Sequence, residues 1–323
     1  MIKKEQKPMY LLGQEIKPGQ SKTINFDVAK LYTSTRIEIP IMVERSKQEG
    51  PVVLITAGLH GDEVSGVEIV RQVIAKKINK PERGTIICIP VLNVFGFLSM
   101  NRYFPDGKDL NRVFPGTKNG SLASRFAFQF TRDILPIAEY CLDFHTGGAS
   151  RFNAPQIRVD PNNEEQMKLA MEFNAPFTVV SKNIDKSYRS TCAKLGKQIL
   201  LYEGGKSVDS NKEVARHGVL GVMRVLHSLG MLKNTRGLCS PIQPTTIITS
   251  SQWIRAKYSG LLHNKVECGQ YVEQLQIIAI ITDPYGKMRH QVKAPHSGHI
   301  INVNEYPIVY KGDAIFHISI QSE

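Results

Sequence analysis

The chain predicts an α/β fold: a mainly parallel mixed sheet with helices on both faces, followed by a small all-β region. Two observations carry this. Up to about residue 230, short apolar runs of strand length alternate with stretches whose apolar residues recur at helical spacing, the pattern of strand-helix units around a parallel sheet. Beyond about residue 240 the helical spacing stops, and short strand-like pieces separated by Gly, Pro and Asn take over. The expected division is therefore 1–240 and 241–323.

Residues 1–50 read as extended, and the alternation from Thr35 to Val43 predicts a strand at the edge of the main sheet before the turn Gln48-Glu49-Gly50-Pro51. Val52 to Thr56 is a continuous apolar run and reads as a buried strand. Glu63 to Ala75, with Val64, Val67, Val70, Val73 and Ile74 at helical spacing, follows it as a helix. Thr85 to Val91 is again strand-like. Asn93 to Thr117, rich in Gly, Pro, Asn and Arg, is too long to be an idle connection. Ser121 to Tyr140 reads as a helix broken or ended near Pro136, while Ile137 to Phe144 and Gln198 to Tyr202 read as further strands. Glu164 to Phe173 and Val214 to Leu229 are helical stretches. In the C-terminal region, Lys257-Tyr258-Ser259-Gly260 with Val266-Glu267-Cys268-Gly269-Gln270 returns as Ala294-Pro295-His296-Ser297-Gly298 with Val309-Tyr310-Lys311-Gly312-Asp313, suggesting a small sandwich built by duplication.

Composition narrows the function classes. A chain of 323 residues with 41% hydrophobic and 22% charged content buries a large core and is not disordered. Its apolar runs fall well short of the roughly 20 residues that span a bilayer, and Met1-Ile2-Lys3-Lys4-Glu5-Gln6-Lys7 has no apolar segment behind it, so neither a membrane span nor an export signal is expected. Five cysteines, odd in number and never in a CxxC pair, indicate no disulfide framework and no thiolate zinc site, and fit a reducing cytoplasm. The formal charge of +12 fits either a nucleic-acid surface or a positive field that draws anionic small molecules into a cleft. The basic residues are spread, with runs no longer than pairs such as Lys3-Lys4 and Lys76-Lys77, and no basic helix or aromatic platform is evident. Small anionic substrates are the expected partners.

The chemistry concentrates after three of the strand-like runs. Ala57-Gly58-Leu59-His60-Gly61-Asp62-Glu63 puts an imidazole and a carboxylate three residues apart directly after the first, and Asp143-Phe144-His145-Thr146-Gly147-Gly148 ends the second with another histidine. Two His and one Glu, with one position left to water, form the ligand set of a catalytic zinc. Glu203-Gly204-Gly205 closes the third run and supplies a candidate base at the same sheet edge, where open α/β sheets bind ligands. The long loop adds Arg102, Asn111 and Arg112; the guanidinium forks of the two arginines suit a substrate carboxylate and a polarised carbonyl. Asp143, two residues before His145, is either a hydrogen-bond acceptor behind the ligand or a buried paired carboxylate. His217, His227, His263, His296 and His299 match no ligand spacing and read as surface or satisfied histidines.

These pieces in order, with Asp109-Leu110-Asn111-Arg112-Val113-Phe114-Pro115-Gly116 and Leu201-Tyr202-Glu203-Gly204-Gly205, resemble the succinylglutamate desuccinylase and aspartoacylase family, deacylase relatives of the zinc carboxypeptidases, over about residues 36–230. The resemblance implies that His60, Glu63 and His145 bind one zinc, Arg102 polarises the carbonyl, Asn111 and Arg112 grip a carboxylate, and Glu203 is the general base. It implies a zinc-dependent hydrolase that removes an acyl group from an N-acyl amino acid or related carboxylate-bearing amine; the alternatives are a metallocarboxypeptidase and a metal-binding protein without catalysis. The C-terminal region resembles the barrel-sandwich hybrid of lipoyl and biotinyl carriers. Lys287-Met288 falls at the spacing of the carrier lysine, but Gly286 replaces the usual Met before it and no acidic-Ala precedes it, so the region is expected to be structural, shaping the cleft entrance or a homo-oligomer contact.

Overall fold

The computed structural model describes residues 8–30, 32–233 and 243–320. The expected boundary at 240/241, the N-terminal segment with Lys3-Lys4, and Cys239 lie outside the described residues.

The strands are β1 (Met9–Leu11), β2 (Gln14–Ile16), β3 (Ser21–Lys30), β4 (Arg36–Arg45), β5 (Val52–Ala57), β6 (Thr85–Ile89), β7 (Tyr140–Gly147), β8 (Arg151–Val159), β9 (Phe177–Val180) and β10 (Gln198–Lys206). The C-terminal ones are β11 (Thr246–Ile248), β12 (Ser250–Arg255), β13 (Gly260–Asn264), β14 (Tyr271–Val272), β15 (Ile277–Thr282), β16 (Arg289–Lys293), β17 (Gly298–Asn304), β18 (Ile308–Val309) and β19 (Ala314–Ile320). Among the described residues the α-helices are α1 (Val64–Ala75), α2 (Val94–Leu98), α3 (Leu122–Asp133), α4 (Glu164–Phe173), α5 (Tyr188–Lys194) and α6 (Lys212–Ser228).

One large sheet runs β12-β19-β17-β8-β10-β7-β5-β6-β4-β3. Its centre, β10-β7-β5-β6, is parallel, and both flanks are antiparallel. Because strand side chains alternate between faces, Val53, Ile55, Leu142 and Leu200 pack under α1, α4 and α6 through Ile69, Val73, Phe173 and Val222. Leu54, Cys141 and Ile199 pack on the opposite face with Phe126 and Phe130 of α3 and Tyr188 and Cys192 of α5. Helices therefore cover both faces. On that second face, continuing along the strands, the apolar series gives way to Asp143, His145 and Glu203.

The structure corrects three details of the sequence reading. The strand from Arg36 is internal, paired on one side with β6 and on the other with β3, which takes the edge. The stretch Ser121 to Tyr140, expected as a helix broken or ended near Pro136, is α-helical only to Asp133, with Pro136 in a separate 3₁₀ turn, Leu135–Ile137, and Tyr140 opening β7. The run to Tyr202 continues as strand to Lys206, so Glu203 lies within β10 and not beyond it.

The C-terminal strands divide. β13, β15, β16 and β18 form a separate antiparallel sheet, whereas β11 pairs with β9, β17 pairs with β8, and β12 and β19 extend the large sheet from β17. Lys287 sits in the exposed turn between β15 and β16, its backbone N–H donating to Asp283 Oδ1 at 2.8 Å. Among the described residues no helix is long and apolar enough to cross a membrane.

Candidate metal and hydrolytic centre

The turn after β5 has room only for glycine. Gly58 holds φ +60°, a left-handed conformation that costs little without a Cβ, and a Cβ on Gly61 would lie 1.9 Å from the backbone of Gly96 in α2. This packing carries His60 and Glu63 inward, with Glu63 just ahead of the first residue of α1.

Glu63 is the hub. Its Oε1 lies 2.8 Å from His60 Nδ1, and its Oε2 lies 2.8 Å from His145 Nδ1 and accepts from the Thr146 N–H at 3.2 Å. The other ring nitrogens face carboxylates as well: His60 Nε2 is 3.0 Å from Asp109 Oδ1, and His145 Nε2 is 2.7 Å from Asp143 Oδ2. Asp143 in turn accepts from Thr56 Oγ1 at 2.7 Å, so it is both a partner for His145 and a buried, satisfied carboxylate. Ligand atoms of His60, Glu63 and His145 all lie within 4.8 Å of one another, and the three residues are buried.

This donor set fits a divalent metal. Two imidazoles converge on one carboxylate through Nδ1, and each carries a carboxylate on Nε2, the arrangement that fixes tautomer and ring orientation in histidine ligands. With both imidazoles neutral, the carboxylates of Glu63, Asp109 and Asp143 outweigh the single guanidinium of Arg102, which favours a bound cation. Burial works to lower the His60 pKa, yet Glu63 and Asp109 raise it above the ordinary value, and Asp143 and Glu63 raise that of His145 well above. A cation on the Nδ1 atoms would take the place of those protons.

Arg102 reaches the same hub. Its Nε and Nη2 donate to Asp109 Oδ2 at 3.1 and 2.8 Å, and Nη1 donates to Glu63 Oε1 at 3.3 Å. Asn111 Oδ1 accepts from the Tyr188 N–H at 2.9 Å, which leaves its NH₂ as the end that can serve a ligand. Arg112 is exposed on the same cleft. Glu203 is partly buried, with 19% of its side chain exposed; burial pushes its carboxyl above the ordinary range, although Arg158, 3.8 Å away, pulls the other way. His60, Glu63, His145, Arg102, Asn111, Arg112 and Glu203 all line one cleft of about 660 Å³.

The cleft also contains residues that the sequence reading passed over. Asp109 stands behind the cleft, bonded to His60 and Arg102. Asn153 and Arg158 come from β8, a strand hidden by Pro155, which sits where β8 carries an extra residue opposite β10. Arg189 of α5 is 6% exposed and bonds to Ser181 and Asn183; burial, with repulsion from Arg158, pushes its pKa down to about 10. Trp253, Asn302 and His317 arrive from β12, β17 and β19. The acidic groups cluster around Glu63, whereas Arg112, Arg151, Arg158, Lys182 and Arg189 line the rest, a layout that favours an anionic ligand.

The catalytic-domain model for succinylglutamate desuccinylase and aspartoacylase matches residues 49–229. N-alpha-acetyl-L-2,4-diaminobutyric acid deacetylase of Halomonas elongata is 29% identical over 261 residues, 76% of this chain and 75% of that protein. Among solved structures, a succinylglutamate desuccinylase/aspartoacylase from Rhodobacter sphaeroides is 24% identical with a TM-score of 0.81, covering 94% of this chain and 96% of its own. The product-bound ectoine utilization protein EutE of Ruegeria pomeroyi is 23% identical with a TM-score of 0.82 over 98% of both chains. These two share the fold.

Proposed function

Because the chain belongs to the succinylglutamate desuccinylase/aspartoacylase family of deacylases, we propose that it is a zinc-dependent cytoplasmic hydrolase that removes the acyl group of a small N-acyl amino acid or related carboxylate-bearing amine. The carrying observation is the cleft itself, which gathers a His-Glu-His cluster, an arginine, a partly buried carboxylate and a set of further basic residues. The Halomonas relative, named for deacetylating an acetylated diamino acid, supports the substrate class. Four free thiols among the described residues support the reducing compartment.

His60, Glu63 and His145 would hold one zinc, which when bound supplies Lewis acidity to a water and to the acyl carbonyl. Glu203 takes the proton of the attacking water and returns it to the leaving amine. Its raised pKa suits that exchange, because an acid-base group works best near the operating pH. Arg102, oriented by Asp109, stabilises negative charge as it grows on the carbonyl oxygen. Asn111 and Arg112 hold the substrate carboxylate. The wall of Trp253, Asn302 and His317 favours a compact substrate over a peptide, the metallocarboxypeptidase alternative.

The test is a screen of N-acetyl-, N-succinyl- and N-formyl-amino acids against zinc-loaded protein and its Glu203→Gln variant. Turnover of at least one class is expected, falling by roughly 10²-fold or more in the variant with zinc retained. Near-normal kcat in Glu203→Gln would place the base elsewhere.

A further inference from the structure

We infer that Asn302 is a positioning residue for Glu203 and acts through Asn153, so that a C-terminal strand orients the general base. The inference rests on the reading of Glu203 as that base. Asn302 Nδ2 donates to Asn153 Oδ1 at 2.7 Å, and Asn153 Nδ2 donates to Glu203 Oε2 at 2.8 Å. Both asparagines are nearly buried, 3% and 5% exposed. They face one another across the β17–β8 pairing, with β10 on the other side of β8, so three adjacent strands carry the chain of side chains to the base.

The direction of the chain follows from amide chemistry. A side-chain amide has one donor end and one acceptor end. With its oxygen taken by the Asn302 N–H, Asn153 presents its NH₂ to Glu203. The reversed amide would set a carbonyl dipole against the carboxylate. The bond occupies Oε2 and holds the carboxylate plane, while Oε1, 3.8 Å from Arg158 Nε, is left for proton transfer.

Asn302 lines the cleft, and its donor end is spent on Asn153. Asn302 Oδ1 is buried with no hydrogen-bond partner, an arrangement that costs stability, and the neighbouring positions Ile300, Ile301 and Val303 of the same strand are buried apolar residues. A valine there would avoid the orphaned oxygen but could not fix Asn153.

The experiment measures kcat, KM, zinc content and thermal stability for Asn302→Ala, Asn153→Ala, the double variant, Asn302→Asp and Glu203→Gln, using an N-acetyl-amino acid that wild type hydrolyses. Asn153→Ala, which removes a bond to a charged group, should lower kcat by about tenfold or more. Asn302→Ala should lower it in the same direction and less far. The double variant should be no slower than Asn153→Ala alone, because the second residue acts only through the first. Zinc content should stay at the wild-type value in these three. Asn302→Asp keeps the volume but has no N–H to give, and should lose kcat at saturating substrate even if Asn302→Ala fails to fold. Losses that add in the double variant, or a loss confined to KM or stability, would overturn the positioning role. So would full kcat in Asn302→Asp beside an inactive Glu203→Gln, whereas an active Glu203→Gln would overturn the underlying assignment of the base.

Discussion

Asp109 offers the sharpest test of how the centre is held, because one of its oxygens serves His60 and the other Arg102. Oδ1 faces His60 Nε2 at 3.0 Å and also accepts from the Asn111 N–H at 2.8 Å, while Oδ2 takes Arg102 Nε and Nη2. Asp109→Ala should remove both supports. Loss of a carboxylate behind a ligating histidine typically costs 10- to 100-fold in metal affinity, which is about 1.4–2.8 kcal/mol. Arg102 would keep only its 3.3 Å contact to Glu63 and would compete there with the metal, so kcat/KM should fall further, by at least about tenfold. Asp109→Asn separates the two effects. Its oxygen can still accept from His60, but its NH₂ then faces the Arg102 donors, so zinc should be kept while kcat/KM drops. Competition with a chromophoric chelator reads the first quantity and steady-state kinetics the second. Zinc affinity and kcat/KM within twofold of wild type in Asp109→Ala would refute the reasoning.

Replacing His60, Glu63 or His145 by Ala should abolish stoichiometric zinc, expected at about one per chain, and full retention in all three by elemental analysis would sink the ligand assignment. Arg112→Ala should raise KM for anionic substrates about tenfold, the low end for a hydrogen bond to a charged group because the side chain is exposed. Esterified or amidated analogues should already bind wild type poorly, and equal activity on charged and neutral analogues would contradict the carboxylate grip. His317 is depressed to about 4 by burial, with Arg158 adding repulsion, so on acidification the unfolded chain takes up this proton first. Its contribution is therefore intact above the ordinary pKa near 6.5 and is lost as pH falls from there toward 4, by up to about 3 kcal/mol. His317→Gln should flatten thermal stability across that window, and an unchanged pH dependence would count against it.

The parts legible in the sequence were those whose signal is local. The run Val52–Ala57, the glycines beside His60 and the helical spacing after Glu63 lie within one short segment, and they emerge as β5, the tight turn and α1. His145 and Glu203 were legible because both follow apolar runs that form neighbouring parallel strands, in register at those two residues. Partner choice was less accessible. The strand at Arg36–Arg45 could be read from alternation, but not that β3 would lie outside it, because edge and interior depend on a pairing made elsewhere. Leu135, Ile137 and Ala138 continue the apolar pattern of α3 even though Pro136 has ended it, which blurred the boundary before β7. Asp109 meets His60 across 49 residues, and no spacing announces such a contact.

The C-terminal strands show the same limit from the other side. Their short apolar pieces gave an all-β region, yet nothing in that texture says whether the strands close on themselves or join another sheet. Both happen: β13, β15, β16 and β18 make a sheet of their own, while β17 adds to the outer edge of β8. The extra residue at Pro155 makes that addition possible. Residues 151–153 of β8 pair outward with β17, and residues 156–159 pair outward with β9. The strand thus bends at the bulge and changes its outer partner there. That switch sets Asn302 opposite Asn153, and β12 and β19 follow β17 to bring Trp253 and His317 to the cleft. Part of the cleft lining therefore comes from residues far in sequence from the His-Glu-His cluster, and they reach the cleft through an irregular strand whose proline argues locally against its being a strand at all.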